Sequence, residues 1–180
     1  RSQQSDYAEL AVTTNFSFLR GASKPEELVV TSTMLGHKAI GIADRNTLAG
    51  VVRAYDALSQ IEGDKPKLLV GARLVFTDGT PDILAYPKDR AAYGRLCRLL
   101  TTGKLRAPKG ECHLTFADLL IWREGMLLAV IAPYRREKGE LGQRLKTLAR
   151  ERGHAPVRLA VSMLRHGNDD LRLRRLKDVS

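Results

Sequence analysis

The sequence of 180 residues predicts a mainly parallel α/β fold. The first observation is that short apolar segments alternate along the chain with segments of helical periodicity. The second is that most of these apolar segments lack alternating polar residues, which is typical of strands covered by helices on both faces of a parallel sheet. The pattern leaves an open, doubly wound sheet and a closed barrel as alternatives.

The first strand and the first helix are predicted close to the N-terminus. The segment Leu10–Thr14 is apolar and β-branched, as strands are. Pro25 suits the first turn of a helix, and the glutamates after it favour the positive end of the helix dipole, so we predict that Ser23 is the N-cap. The helix is expected to extend to about Leu35 and to end at Gly36.

A second strand and a second helix are predicted after this point. Ala39–Ala43 is continuously apolar, and Asp44–Thr47 is a polar turn at its C-terminal end. The helix is expected from about Leu48 to Ile61, before Gly63. Its predicted apolar positions are Val51, Val52, Tyr55 and Leu58.

The same alternation predicts the elements of the remaining chain. The strands are expected at Leu68–Phe76, Asp82–Tyr86, Met126–Ile131 and Val157–Val161, and the helices at Arg90–Leu100, Phe116–Trp122, Gly139–Arg152 and Asp169–Lys177. Residues 101–114 are expected to form a loop because they contain Gly103, Pro108 and Gly110. Gly41 and Gly71 lie inside predicted strands, where they either permit close packing or contribute to a site.

The positive charge of the sequence is confined to its second half. The formal net charge is +10, from 30 basic and 20 acidic residues. Residues 1–90 contain 11 of each sign, whereas residues 91–180 contain 19 basic and 9 acidic residues. Such asymmetry indicates a phosphate-facing surface, a face for an acidic partner, or a basic face that is merely solvated. The candidates for a phosphate-facing surface are Lys104, Arg106, Lys109, Arg135, Arg136, Lys138, Arg144, Lys146 and Arg150.

Composition excludes several classes of protein. No apolar segment approaches the roughly 18 residues of a membrane span, so a transmembrane protein is excluded and no membrane partner is expected. Cys97 and Cys112 have no paired spacing, which excludes a disulfide framework and argues against a zinc site. No secretory signal precedes the first strand, so we expect a cytoplasmic protein. Because the chain begins with Arg1 rather than Met, we expect that it was cut from something longer or processed.

Five motifs in register carry a family resemblance. They are Tyr7–Gly21, Ile40–Gly50, Lys67–Arg73, Tyr93–Thr101 and Arg106–Thr115. Together they resemble the PHP domain (polymerase and histidinol phosphatase) of bacterial C-family DNA polymerases, and the last motif resembles the error-prone branch. The resemblance implies a PHP-type (β/α)7 barrel over residues 1–180, without the palm, thumb and fingers of the polymerase. The barrel is expected to be incomplete, because 180 residues supply about six βα units and no Asp-x-His motif follows Val157–Val161.

The resemblance also identifies where metal ligands stand in the family. In metal-binding PHP domains, histidines and carboxylates at the strand ends hold divalent metals that activate water and bind a phosphoester. The corresponding positions here are Glu9, Ala11, Asp44, Arg45, Arg73 and Asp82, with Thr13 where a further histidine often follows. A methyl group cannot coordinate a metal, and arginine is not deprotonated to act as a ligand. We therefore predict no bound metal and no catalytic residue in this chain, and we predict that Arg45 and Arg73 pair with some of Glu9, Asp44 and Asp82.

The resemblance implies a non-catalytic scaffold module of an error-prone, translesion DNA polymerase. The parent chain is expected to use Mg²⁺, whereas this segment needs no cofactor. Its expected partners are the rest of the parent chain, DNA through that parent, and accessory translesion proteins. Two alternatives are a metal-dependent phosphoesterase or exonuclease and a stand-alone nucleic-acid binding module. Since an incomplete barrel leaves a strand edge open, self-association or a compensating partner is also expected.

Overall fold

A computed structural model describes residues 5–133, 143, 146–148, 157–162, 165, 167 and 169–177. The strands are β1 (Ser5–Val12), β2 (His37–Arg45), β3 (Lys67–Leu74), β4 (Ile83–Pro87), β5 (Met126–Ile131) and β6 (Arg158–Ala160). The helices with described bounds are α1 (Pro25–Met34), α2 (Ala49–Ser59), α3 (Arg90–Arg106), α4 (Phe116–Trp122) and α5 (Asp169–Lys177). Within these ranges, no helix combines the length and the apolar composition needed to span a membrane.

The six strands form one sheet and are hydrogen-bonded in chain order from β1 to β6. The pairs β1–β2, β2–β3 and β5–β6 are parallel, so the predicted mainly parallel α/β class is confirmed. The register of β2 with β3 is unbroken from Ala39 opposite Lys67 to Arg45 opposite Arg73. The register of β1 with β2 shifts twice, between Ser5 and Ala8 and between Glu9 and Val12, and the second shift indicates a β-bulge in β1.

The chain divides into two compact units. The first contains the residues up to Leu74 together with Leu84–Tyr86, and the second contains Val75–Ile83 together with the residues from Pro87 onward. In the first unit, apolar side chains of β1, β2, α1 and α2 form the core: Val12, Val29, Ile40, Ile42, Ala54 and Leu58. Helices α1 and α2 pack against each other and against β2. This packing fixes the C-terminal ends of β1 and β2 and the start of α2.

In the second unit, helix α3 is longer than predicted. It continues to Arg106, so the predicted loop at residues 101–114 is wrong in its first six residues. A Cβ at Gly103 would lie 2.7 Å from the Cys112 sulfur, which shows that the following loop packs directly on the helix there. The His113 N–H also donates to the Gly103 carbonyl at 2.9 Å. Tertiary packing has therefore overridden the low helix propensity of glycine.

Two details of the first two helices also differ from prediction. Ser23 is not the N-cap of α1, because Lys24 occupies that position and its backbone N–H donates to the Glu27 carboxylate at 2.8 Å. In α2, Val52 and Tyr55 are 73% and 69% exposed, so they do not face the core. The buried positions are Gly50, Ala54 and Leu58. The small residues bring α2 close to the sheet, which places the neighbouring stripe of larger apolar side chains in solvent.

The glycines within β2 and β3 make room for an aromatic ring. A Cβ at Gly71 would lie 2.5 Å from two ring carbons of Tyr86, and a Cβ at Gly41 would lie 3.0 Å from its hydroxyl. The two glycines therefore permit close packing, one of the two roles left open by the sequence. The Tyr86 hydroxyl is buried with no hydrogen-bond partner among the described residues. Burial, and then the charge of Glu9, raises the pKa of Tyr86, so the phenol stays protonated.

The helix predicted at Gly139–Arg152 lies mostly outside the described residues. Residues 143 and 146–148 are helical, and Leu148 is buried. The Leu148 carbonyl accepts a hydrogen bond of 2.8 Å from the guanidinium of Arg123, which is itself buried. An arginine that is almost fully enclosed was not expected from the sequence.

Candidate functional site

The candidate site lies in the first unit, where β1 and β2 end. Asp44 is 1% exposed, and its carboxylate accepts three hydrogen bonds. The Thr14 N–H and the Ser17 hydroxyl donate to Oδ1 at 2.8 and 2.6 Å, and the Thr14 hydroxyl donates to Oδ2 at 2.8 Å. A buried carboxylate is stable only when hydrogen bonds or opposite charges replace water. The loop after β1 provides that replacement.

The loop between β1 and α1 is closed by its own backbone hydrogen bonds. Ser17 N–H donates to the Thr14 carbonyl at 3.0 Å, and Asn15 N–H donates to the Ser23 carbonyl at 2.9 Å. The carbonyl of Ser17 accepts from the N–H groups of Arg20 and Gly21 at 2.9 and 3.1 Å. Because the Ser17 side chain is also bound to Asp44, the loop is fixed at both its base and its middle.

Helix α2 begins directly above this carboxylate. A Cβ at Gly50 would lie 2.8 Å from Oδ2 of Asp44 and 3.1 Å from the Thr14 hydroxyl. The N-terminal turn of a helix favours acidic side chains and hydrogen-bond acceptors, so Asp44 is well placed beside the start of α2. Phe16 also lies near the start of α2, where the guanidinium of Arg53 is 5.7 Å from its ring centroid.

The two arginines of the family metal positions are direct neighbours. Arg45 at the end of β2 is paired in register with Arg73 of β3. The backbone N–H of Arg45 donates to the Ser17 hydroxyl at 2.9 Å, and the Arg73 carbonyl accepts from Asn46 N–H at 3.0 Å. The partners of the Asp44 carboxylate are Thr14 and Ser17. The predicted pairing of the arginines with Glu9, Asp44 or Asp82 stays a prediction.

The other family metal positions have no described hydrogen bond to the Asp44 carboxylate, and one of them belongs to the second unit. Glu9 accepts a hydrogen bond of 2.7 Å from the Tyr7 hydroxyl, and this bond and the Glu9 charge raise the pKa of Tyr7. Ala11 is exposed, near the bulge of β1. Asp82 belongs to the second unit, where its carbonyl accepts from Ile131 N–H at 2.8 Å. Among the described residues, no three His, Cys, Asp or Glu side chains form a group that could hold a metal ion.

Four of the nine basic candidates are described, and one of them has a structural role. Lys104, Lys109 and Lys146 are exposed. The guanidinium of Arg106 donates to both oxygens of Asp118 at 2.7 and 2.9 Å, which joins the end of α3 to the start of α4. Arg135, Arg136, Lys138, Arg144 and Arg150 lie outside the described residues.

The Arg106–Asp118 pair predicts a pH-dependent stability. The guanidinium and the Thr115 hydrogen bonds lower the pKa of Asp118 from 3.8 to about 2. Because the folded-state pKa is lowered, the stabilisation is complete above about pH 4 and is lost as the pH falls towards 2. We expect Asp118→Asn to lower the free energy of unfolding by about 1 kcal/mol at pH 7, since the pair is partly exposed. In urea titrations, the loss should become smaller as the pH falls below about 4 and should be small at about pH 2.

The exposed residue Asp64 provides the control for this titration. Asp64→Asn should leave the free energy of unfolding within about 0.5 kcal/mol of the wild-type value at each pH. A difference between Asp118→Asn and the wild type that does not change with pH would contradict the assigned role of the ion pair.

Sequence reasoning identified Asp44 but not its partners. Thr14 and Ser17 lie in the first family motif, and their separation of 30 and 27 residues from Asp44 conceals the contact. For Asp118, a signal was present: Thr115 and Asp118 have the spacing of a capping box, and the structure contains one. That pattern could have shown that the Asp118 carboxylate lies at the N-terminus of α4, where it can also bind a nearby arginine.

Comparisons with known proteins identify the family of the chain. The family model described as PHP domain matches residues 9–164. The chain is 56% identical over 176 residues to an error-prone DNA polymerase of Rhodopseudomonas palustris (strain BisB5). It is 55% identical over 180 residues to an error-prone DNA polymerase of Bradyrhizobium diazoefficiens. Each alignment covers 97% of this chain and 16% of the relative, so the chain spans about one sixth of the length of these relatives.

A solved structure supports the fold. An amidohydrolase from Chromobacterium violaceum, determined with bound sulfate and no metal, has a TM-score of 0.52 and 14% sequence identity, covering 76% of this chain and 71% of that chain. This likeness concerns the fold alone. With the six-stranded, mainly parallel sheet, it agrees with the predicted PHP-type class. Since the family model covers most of the sequence and the strand-end motifs lie together in the first unit, the chain belongs to the PHP domain family.

Proposed function

We propose that this PHP domain is the non-catalytic scaffold module of an error-prone, translesion DNA polymerase. Relatives of that name are 56% and 55% identical to this chain over 97% of its length. Because the chain spans about one sixth of those relatives, the palm, thumb and fingers, with their Mg²⁺, belong to the remainder of the polypeptide. The proposed partners are that remainder, DNA bound through it, and accessory translesion proteins in the cytoplasm.

The hydrogen bonding of Asp44 carries the non-catalytic part of the proposal. An ionised carboxylate has about four lone-pair positions, and three in Asp44 already accept hydrogen bonds from Thr14 and Ser17. Asp44 is also 1% exposed, so a cation would have to shed its hydration shell to reach the carboxylate. A metal would have to displace donors that hold the loop after β1.

The residues at the other family ligand positions support the same conclusion. The Ala11 side chain offers no donor atom, and a guanidinium group does not serve as a metal ligand in proteins. Arg45 and Arg73 lie opposite each other in the register of β2 and β3, so two neighbouring family ligand positions have side chains that cannot coordinate a metal. The donor set does not fit the metal cluster of the family. Without metal-bound water, a phosphoesterase or exonuclease lacks its nucleophile.

The exposed lysines of the second unit support a contribution to DNA binding. Lys104 and Lys109 lie at the end of α3 and just after it, and neither has a described salt bridge. Each can add a phosphate contact to a surface formed mainly by the parent polymerase. The low content of aromatic residues, 6%, does not favour base stacking by a stand-alone binding module.

Metal addition provides a direct prediction. After EDTA treatment and dialysis, we expect Mn²⁺ titration to leave the melting temperature of the protein within about 1 °C of its starting value. A site filled at 100 times its dissociation constant would add about 2.7 kcal/mol of stability, and so several degrees. Differential scanning fluorimetry and elemental analysis measure the two quantities. A Mn²⁺-dependent stabilisation that Asp44→Asn removes would refute the absence of a metal site.

The polymerase assignment is tested with the product of the complete reading frame that contains these residues. We expect this protein to extend a primer with Mg²⁺ and to release no nucleotide from a labelled strand when nucleoside triphosphates are omitted. Nucleotide release that disappears in Asp44→Asn, while extension continues, would instead identify the PHP domain as an exonuclease.

A further inference from the structure

The loop after β1 presents two large apolar side chains to solvent. Phe18 and Leu19 are each 85% exposed, and Phe16 is 37% exposed. A folded protein gains nothing by exposing two adjacent large apolar side chains at a loop tip, and apolar exposure that is clustered commonly marks a binding surface. We refer to Phe18 and Leu19 as the loop tip.

The backbone at the loop tip is held in a conformation that disfavours leucine. Leu19 has φ of 57°, in the left-handed region that glycine or asparagine normally occupies. The hydrogen bonds from Arg20 and Gly21 to the Ser17 carbonyl close the turn around it. Strain of this kind persists only where surrounding contacts impose it, and it is concentrated at functional positions.

The support beneath the loop tip makes it rigid before any partner binds. Ser17, directly before Phe18, is 3% exposed and donates to Asp44 at 2.6 Å. An apolar side chain on a backbone that is already fixed requires little further ordering of the chain on binding, so it is an effective anchor in an interface. In this arrangement, Asp44 and its hydrogen-bond partners Thr14 and Ser17, proposed to bind no metal, position the loop tip.

The area of the loop tip indicates that its partner is tethered. Two such side chains present about 300 Å² of apolar surface. A stable complex between separate proteins buries about 1,200 Å² or more, so neither a second copy of this chain nor a free partner would be held by the tip alone. A partner on the same polypeptide is present at millimolar effective concentration, at which a small contact suffices.

We propose that the loop tip inserts into an apolar pocket of the polymerase portion of the longer chain. This inference rests on the proposed function, because about five sixths of the length of the relatives lies outside the 180 residues. Exposed Arg20 follows the tip, so a carboxylate at the rim of the pocket would complement it. The contact would fix the PHP domain to the part of the chain that performs polymerisation.

The test uses the product of the complete reading frame, with Phe18→Ser and Leu19→Ser introduced together. Hydrogen exchange measured by mass spectrometry should show that the backbone amides of the loop tip are protected from exchange in the wild type without DNA. In the double variant, a contiguous segment of the polymerase portion should exchange at least tenfold faster, and the half-life of primer extension at elevated temperature should fall several-fold. Leu105→Ser is the matched control, because this side chain is 84% exposed elsewhere, without an exposed large apolar neighbour in the sequence, and should change neither quantity.

The outcomes separate the two proposals. If the wild type extends a primer but the double variant leaves exchange in the polymerase portion unchanged, the inference fails and the proposed function stands. Protection of the loop tip only after DNA is added would also overturn it, since Phe18 would then stack on a base. If the wild type extends no primer, the proposed function fails, and the inference fails with it.

Discussion

Replacement of Asp44 by alanine is expected to lower the free energy of unfolding by about 4 kcal/mol. Alanine leaves three buried donors without an acceptor: the N–H of Thr14, its hydroxyl, and the hydroxyl of Ser17. An unsatisfied buried donor costs about 1–3 kcal/mol, and the lost carboxylate leaves a void beside Gly50. Urea denaturation followed by circular dichroism measures the change.

Asp44→Asn should cost less, about 1–2 kcal/mol, because the amide keeps one oxygen. That oxygen can accept from the Thr14 N–H and the Ser17 hydroxyl, while the amide nitrogen donates to the Thr14 hydroxyl. The expected order of stability is therefore wild type, then asparagine, then alanine. Asp64→Ala is the matched control at an exposed carboxylate, and it should change the free energy of unfolding by less than about 0.5 kcal/mol.

The opposite order would reverse the interpretation of the site. Carboxylates that bind a cation lower the free energy of unfolding when that cation is absent. Their neutralisation therefore commonly stabilises a protein. If either Asp44 variant were more stable than the wild type, Asp44 would be a ligand-binding group rather than the structural acceptor for the loop after β1.

The strands and helices were predictable because their signals are local. Apolar segments such as Ala39–Ala43 become strands, and Pro25 marks a helix start, as expected. The exposure of Val52 and Tyr55 was not predictable, since α2 has two apolar stripes displaced by one residue. The stripe with the smaller side chains packs against the sheet. Which stripe packs there depends on the space beside β2, and the sequence of the helix carries no information about that space.

The site was predictable in position but not in its contacts. The motifs identified the end of β2, and the register places Arg45 of β2 opposite Arg73 of β3 there. The hydrogen bonds of Asp44 connect residues about 30 positions apart, so they depend on how the loop after β1 folds back over the strand. Residue spacing gives no measure of that path. The burial of Thr14, 0% exposed, is likewise a property of the packed loop.

Gly21→Ala is expected to lower the free energy of unfolding by about 3 kcal/mol. A Cβ at Gly21 would overlap the Thr14 carbonyl and lie 2.7 Å from the Thr13 carbonyl oxygen. These atoms are backbone, so relief requires the chain to move at Thr14, whose N–H and hydroxyl bind Asp44. The clash should therefore weaken the Asp44 hydrogen bonds as well. Urea denaturation measures the loss, and faster exchange of the Thr14 amide would locate it.

Gly94→Ala separates this steric effect from the general effect of removing a glycine. Gly94 lies within α3, and a Cβ there would meet no atom within 4 Å. Alanine should raise the free energy of unfolding by about 0.5–1 kcal/mol at this position, because it reduces the entropy of the unfolded chain. The two substitutions are chemically identical, so opposite signs identify close backbone approach as the reason for glycine at position 21. A stabilising Gly21→Ala would show that the loop after β1 can shift, and the rigidity of the loop tip would then be wrong.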